Sequence, residues 1–284
     1  MSDAIRSEFA VLDGLRVHFL TAGDGDPVLL LHGWPTSSHL WRNVIPHLSG
    51  TRRVFALDLP GFGRSAKPRT TYQLGYFARA LHGFLDAVGV GQASLVGHSL
   101  GAAVAVTYAL TRPSRVERLA LVGGLVPGFS FRMSWPYKLV ALPVVGEALA
   151  LCGNAALYKA AIARCFRVAS PAEVEFLVEH DYRRRTGPEA RAAWLATARH
   201  IRADFVARRA DYRRALVTLD LPTLLVHGRQ DPAVPARHAA EVAAGIPRAA
   251  LRWVDDCGHF PHLEYPQAVN GWLAEFLIGR TAPR

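Results

Sequence analysis

Gly97-His98-Ser99-Leu100-Gly101 sets a serine between glycines in the pattern G-x-S-x-G. The apolar run Ala93-Ser94-Leu95-Val96 precedes it, and the helix-forming run LGAAVAVTYAL follows from Leu100. Such a pattern alone occurs by chance, but a strand before and a helix after make it specific. The turn projects the hydroxyl above a sheet, and the glycines let strand and helix approach closely. A serine hydroxyl is a poor nucleophile at neutral pH and needs a base within hydrogen-bond reach. Of twelve histidines, His259 is the candidate. It stands in Asp255-Asp256-Cys257-Gly258-His259-Phe260, just after the last predicted strand, where loops at strand C-termini carry catalytic groups. His32 and His98 read as packing and hydrogen-bonding supports.

A base needs an acid to orient it, at another strand end and in chain order Ser, Asp, His. Asp231 in Val226-His227-Gly228-Arg229-Gln230-Asp231-Pro232 meets both conditions, whereas the loop Val122-Gly123-Gly124-Leu125 offers no carboxylate. Asp256 is the runner-up; three residues before His259 in one tight loop, its carboxylate cannot easily meet a ring that faces Ser99. Acyl transfer also needs donors for the developing oxyanion. The backbone N–H of Trp34, in His32-Gly33-Trp34-Pro35, and that of Leu100 are the expected pair, since Pro35 has no N–H to give.

These side chains need a sheet to hold them. Residues 8–12 and 15–21 are apolar-rich runs joined by Asp13-Gly14, a hairpin signal. Residues 27–31, 53–57 and 94–96 are short apolar runs of the kind buried on both faces of a parallel sheet. Helical patterns at 38–48 and 72–88 separate them. The alternation continues with helix 100–110 and strand 118–122, then resumes with strand 223–226, helix 237–244, strand 250–254 and helix 266–278, so a mostly parallel sheet flanked by helices is expected. Between about 127 and 216 the alternation is lost. Helix signals fill that interval, the clearest being Ser170-Pro171-Ala172-Glu173, a capping box with proline at N1. The expected organisation is an α/β core of residues 1–126 and 217–284 with a helical insertion at 127–216.

At 284 residues, half of them hydrophobic and a fifth charged, the chain can bury a large core. No stretch reaches the roughly 18 apolar residues of a membrane span. The N-terminus lacks an export or transit pattern. Three cysteines without C-x-x-C spacing argue against a disulfide framework or a zinc site, so a cytoplasmic location is expected. The net charge of +10 draws on the arginines at 183–185, 208–209 and 213–214, but acidic residues interrupt that run. A solvated helical face is therefore expected there, and not a nucleic-acid surface. No metal or organic cofactor is implied, the partner being a small-molecule substrate; a homo-oligomer is compatible with the sequence.

Together these residues resemble the α/β-hydrolase superfamily over essentially the whole chain, in the branch that holds epoxide hydrolases, haloalkane dehalogenases, esterases and meta-cleavage C–C bond hydrolases. His32-Gly33-Trp34-Pro35 resembles that branch's H-G-x-P oxyanion motif, and Asp58-Leu59-Pro60-Gly61-Phe62-Gly63-Arg64-Ser65 its D-x-P-G-x-G-x-S loop. The segments 97–101, 228–235 and 258–259 resemble its nucleophile, acid and base loops. The resemblance implies that the insertion is a cap roofing the site; Trp34, Phe62, Phe129, Trp135 and Phe260 are candidate pocket walls. Epoxide hydrolases and dehalogenases of this branch use an aspartate nucleophile, so Ser99 disfavours their chemistry, and Asp58 reads as structural. The expected activity is hydrolysis of a small to medium, mainly apolar carboxylic ester or lactone through an acyl-enzyme on Ser99. The alternative is C–C cleavage of a meta-cleavage product by the same triad. A non-hydrolytic binding protein on this fold is the third reading, and the intact Ser–His–Asp set argues against it.

Overall fold

The computed structural model describes residues 4–129, 135–168 and 170–279, with the side chains of residues 135 and 136 outside that description. Eight strands form one sheet: β1 (Arg6–Leu12), β2 (Leu15–Ala22), β3 (Asp26–Leu31), β4 (Arg52–Leu57), β5 (Ala93–His98), β6 (Val116–Val122), β7 (Thr223–Gly228) and β8 (Ala249–Val254). Their order across the sheet is β1-β2-β4-β3-β5-β6-β7-β8. β2 runs antiparallel to both neighbours, and the remaining pairs are parallel. The Asp13-Gly14 hairpin forms with both residues at positive φ, 49° and 82°, the backbone a two-residue turn between right-twisted strands requires.

The apolar runs are continuous because both sheet faces are covered. Leu29 and Leu31 of β3 and Phe55 and Leu57 of β4 enter one hydrophobic cluster; Val28, Leu30, Val54 and Ala56 enter the other. Helices Leu74–Ala87 and Leu100–Thr111 close the first face, and the C-terminal helix Pro266–Leu277 packs into the second. All described elements between β6 and β7 are helical.

Three local expectations are corrected. The run 38–48 is not one helix but a 3-10 turn, Ser38–Trp41, and a single helical turn, Ile45–Leu48. Pro46 has no N–H for the carbonyl of Arg42, and the Ser38 N–H is drawn to Asp58 Oδ1 at 2.6 Å. Ser170 does cap the helix Pro171–Leu177 with Pro171 at N1, yet its side chain makes no capping bond. Glu173, expected to close the capping box, instead binds the Arg42 guanidinium and Asn43, a charge-assisted pairing stronger than one to a backbone amide. Finally, the helix does not run on regularly: a π-helical turn, Val178–Tyr182, leads into a 3-10 turn, Arg183–Arg185. Arg183 and Arg184 are exposed as expected, but Arg185 is not on a solvated face. Its guanidinium lies against the rings of Tyr158, Tyr182 and Trp194, 4.8, 5.6 and 4.6 Å from their centres.

Candidate active site

Ser99 sits at the C-terminal end of β5 with φ 49° and ψ −113°, a strained conformation for a residue with a side chain. Close backbone packing enforces it. A Cβ on Gly97 would meet Ala102 N and Gly101 at 2.5 Å, and one on Gly101 would overlap the Leu31 carbonyl. The strain costs on the order of 1–3 kcal/mol and persists only because the surroundings over-determine it.

His259 Nδ1 lies 2.7 Å from Asp231 Oδ2, both side chains buried. The other Asp231 oxygen accepts the N–H groups of Ala233 (2.7 Å) and Val234 (2.9 Å), so the carboxylate is aimed by its own loop. Gln230 ties that loop to the base loop: its N–H donates to Cys257 O at 3.0 Å, and its Oε1 accepts Cys257 N–H at 3.1 Å. The His259 N–H donates to Cys165 O at 2.7 Å, which anchors the base loop to the helical insertion. Asp256 takes no part in this arrangement; its carboxylate is exposed and paired with Arg167 Nε at 2.9 Å.

His98 links the two halves. Its Nε2 donates to the carbonyl of His259 at 2.9 Å, and its ring stacks on Phe260. Burial, followed by the neighbouring His259 and His262, holds its pKa well below that of a free histidine, so the ring is neutral. His32 has a structural place too, donating from Nδ1 to Gly33 O at 2.8 Å and accepting the Leu59 N–H on Nε2 at 3.0 Å. Among the described residues no hydrogen bond joins Ser99 Oγ to the His259 ring, and neither the Trp34 N–H nor the Leu100 N–H has an acceptor.

Ser99 and Leu100 open into a mainly apolar cavity of about 40 Å³, lined also by Trp34, Leu125, Tyr137, Thr197, Ala198, Ile201, Ala233 and Val234. That is room for a few water molecules. Of the five predicted wall residues, Phe62 lines a smaller neighbouring chamber instead, while Trp34 lines this one. Phe129 does not: it is buried against Gly245 and His238, because Gly245 leaves a gap on its helix that the ring fills. Phe260 does not either; it is held between His98 and Phe166. The side chain of Trp135 lies outside the described residues. Tyr137, Thr197, Ala198 and Ile201 were not singled out from the sequence. The signal was present, since Ala193, Thr197 and Ile201 recur every fourth residue on the helix Pro188–Ala207 and share its buried face.

Trp34 stacks on Trp194 at 5.1 Å and donates from Nε1 to its carbonyl at 3.2 Å. Trp194 also lines a second, smaller chamber of about 20 Å³ together with Thr36, Phe62, Lys67, Asp181, Arg184 and Arg185. Asp181 is buried, accepts from Ser37 Oγ at 2.5 Å, and leaves Oδ2 unpartnered. Burial pushes its carboxyl up to about 7, against the Ser37 hydrogen bond. Lys67 donates to Gly63 O and Ser65 O, while the Arg185 guanidinium makes no hydrogen bond among the described residues and lies against aromatic rings.

A family model described as alpha/beta hydrolase fold matches residues 26–148 and 159–266. The chain belongs to the α/β-hydrolase fold family. This α/β hydrolase is 32% identical to a haloalkane dehalogenase of Mesorhizobium japonicum, over 96% of this chain and 92% of that protein. It is 30% identical to a 2-hydroxymuconate semialdehyde hydrolase of a Pseudomonas species, over 93% and 91%. The solved structure of a 2-hydroxy-6-oxo-6-phenylhexa-2,4-dienoate hydrolase from a Rhodococcus species superposes with a TM-score of 0.85 at 26% identity, covering 98% of this chain and 100% of that one. No helix among the described residues is long and apolar enough to cross a membrane.

Proposed function

We propose that this α/β hydrolase cleaves small, mainly apolar carboxylic esters or lactones through an acyl-enzyme on Ser99. His259 is the general base, Asp231 the acid that orients it, and the N–H groups of Trp34 and Leu100 the oxyanion hole. The observation that carries the reading is the 2.7 Å His259 Nδ1–Asp231 Oδ2 bond beside a strained serine in an apolar cavity. An ionised carboxylate only accepts, so the His259 proton resides on Nδ1 and Nε2 is left bare for the Ser99 proton. Ser99 attacks the carbonyl as His259 takes its proton; the tetrahedral oxyanion is held by the two free N–H groups and collapses with loss of the alcohol, which receives the proton from His259. Water activated by His259 then releases the acid. The Ser99–His259 bond, open in this structure, closes as substrate binds, a tightening common at such sites. Residues 127–216 form the cap in this reading, and the 40 Å³ cavity favours short acyl groups.

Similarity to a dehalogenase does not bring dehalogenation with it. Attack of a serine oxygen on an alkyl halide would leave an ether, which has no carbonyl for water to attack. A second reading, C–C cleavage of an anionic dienol ketone, is favoured by the chamber behind Trp194, where Lys67, Arg184 and Arg185 converge and could draw a carboxylate. Both readings are tested by kcat/KM for a neutral short-chain ester and an anionic dienol ketone at low and high salt. Fast ester hydrolysis insensitive to salt supports the first. Efficient C–C cleavage that weakens with salt, beside slow ester hydrolysis, supports the second and overturns the first.

A further inference from the structure

A second Ser–His–Asp chain lies on the β1–β2 edge. Ser7 Oγ is 2.9 Å from His18 Nε2, and His18 Nδ1 is 2.7 Å from Asp58 Oδ2. His18 and Asp58 are buried, and Ser7 is exposed. Asp58 is anchored as Asp231 is, by backbone N–H groups: Ser38 donates to Oδ1 at 2.6 Å and Arg64 to Oδ2 at 2.7 Å. Burial opposes ionisation of Asp58, but the hydrogen bonds from His18 and the Arg64 N–H help to outweigh it and hold the carboxyl well below the usual range.

Proton positions follow from donor and acceptor inventory. The Asp58 carboxylate accepts only, so His18 donates from Nδ1; in the neutral ring Nε2 is then a lone pair, which the donor Arg64 Nη1 also approaches at 3.4 Å. Arg64 Nη1 lies 2.7 Å from Ser7 Oγ and, as a guanidinium, only donates. Among the described residues the acceptor within reach of the Ser7 O–H is therefore His18 Nε2. The hydroxyl proton lies on the line to an imidazole that a buried carboxylate orients, which is the arrangement that activates a serine.

We propose that Ser7 is a second nucleophile, a covalent capture site for activated acyl and phosphoryl donors at the open edge of the sheet. Ser7 Oγ attacks the acyl carbon or the phosphorus while its proton passes to His18 Nε2. The new O–C or O–P bond forms as the bond to the leaving group breaks. An alcohol departs with the proton from His18; a fluoride departs alone, and the imidazolium gives its proton to solvent. Arg64 Nη1 is the one donor at hydrogen-bond distance from Ser7 Oγ among the described residues. A single donor on an exposed side chain stabilises an oxyanion less than two fixed backbone N–H groups do, so the adduct accumulates instead of turning over.

The test removes the other serine first. Ser99→Ala protein is treated with a fluorophosphonate, and the adduct is mapped by peptide mass spectrometry to residues 7–16, where Ser7 is the single serine. One equivalent is expected on Ser7, at least about 100-fold faster than on the exposed Ser114, as general-base assistance gives. Ser7→Ala, an exposed change that leaves the fold intact, should abolish it, and Arg64→Met should slow it. No adduct on 7–16, or labelling at the rate of Ser114, overturns the proposal. Because Ser99 is absent, the result is independent of the function proposed for the main site.

Discussion

The two buried His–Asp pairs, His259–Asp231 and His18–Asp58, share their inner geometry and differ in what lies beyond the ring. In each, Nδ1 is 2.7 Å from a carboxylate oxygen, and backbone N–H groups aim the carboxylate. His259 is bonded to Asp231, whose loop residues Ala233 and Val234 line the apolar cavity of Ser99 together with Trp34 and Leu100. His18 is buried beneath the sheet edge, where the exposed Ser7 and Arg64 cap its Nε2. Such a pair orients a base; the turnover proposed for Ser99 rests on what surrounds it, a strained nucleophile, an apolar cavity and the N–H groups of Trp34 and Leu100. Asp58 also has a second duty. It fastens the loop after β4, with Ser65 Oγ donating to its carbonyl at 2.6 Å.

Breaking the comparison at the nucleophile should have the largest effect. Ser99→Ala and His259→Ala are each expected to lower kcat for a p-nitrophenyl ester by roughly four to six orders of magnitude, while Ser7→Ala leaves steady-state hydrolysis unchanged. Retention of more than a hundredth of the activity in either of the first two would remove that residue from the mechanism. At the acid, Asp231→Asn should cost about 10⁴-fold by favouring the wrong tautomer of His259. Asp256→Asn should stay within a few-fold, and the reverse ranking would move the acid to the base loop.

Stability measurements sharpen the contrast further. Asp181 is a buried acid whose folded pKa, about 7, exceeds its value of about 3.8 in the unfolded chain. The folded state then holds the proton more tightly, so this contribution is fully present below about pH 4 and is lost as pH rises through 7. Asp181→Asn should therefore gain on the wild type between pH 5 and 8, by up to about 4 kcal/mol, in urea unfolding at each pH. An unchanged pH slope would show that Asp181 is ionised and paired in the folded state. Smaller still is Asp58→Asn, expected to lose about 1–3 kcal/mol of unfolding free energy and to keep kcat within a few-fold. A collapse of kcat in protein of normal melting temperature would place Asp58 in the chemistry of Ser99.

The core was legible because its signals are local. Asp13-Gly14 marked the hairpin, and each run later found as β3, β4 or β5 has apolar residues on both sheet faces. The His259–Asp231 contact and the strained turn at Ser99 were readable because short motifs at strand ends carry those residues. Pocket walls were harder, since they depend on which helix face turns inward. Phe129 packs on Gly245, more than a hundred residues away in sequence, and nothing near Phe129 signals that partner. Arg185 read as one member of a basic surface run, because the π-helical turn that rotates it onto three aromatic rings has no sequence signature. The Ser7–His18–Asp58 chain was invisible for a related reason: its members lie on β1, on β2 and after β4, and only the antiparallel pairing of β2 with both neighbours brings them together.

The central claim, that the Ser99 site turns over esters through an acyl-enzyme while the Ser7 site does not, is tested most directly by trapping the intermediate. The wild type is mixed with a short-chain p-nitrophenyl ester, quenched in acid during the pre-steady-state burst and digested for mass spectrometry. A burst approaching one equivalent of p-nitrophenol is expected, with the acyl group on Ser99 and only slower acylation of Ser7. A burst carried by a residue other than Ser99, or rapid hydrolysis with no acyl-enzyme on Ser99, would contradict it, whereas slow acylation of Ser7 that does not turn over belongs to the second site.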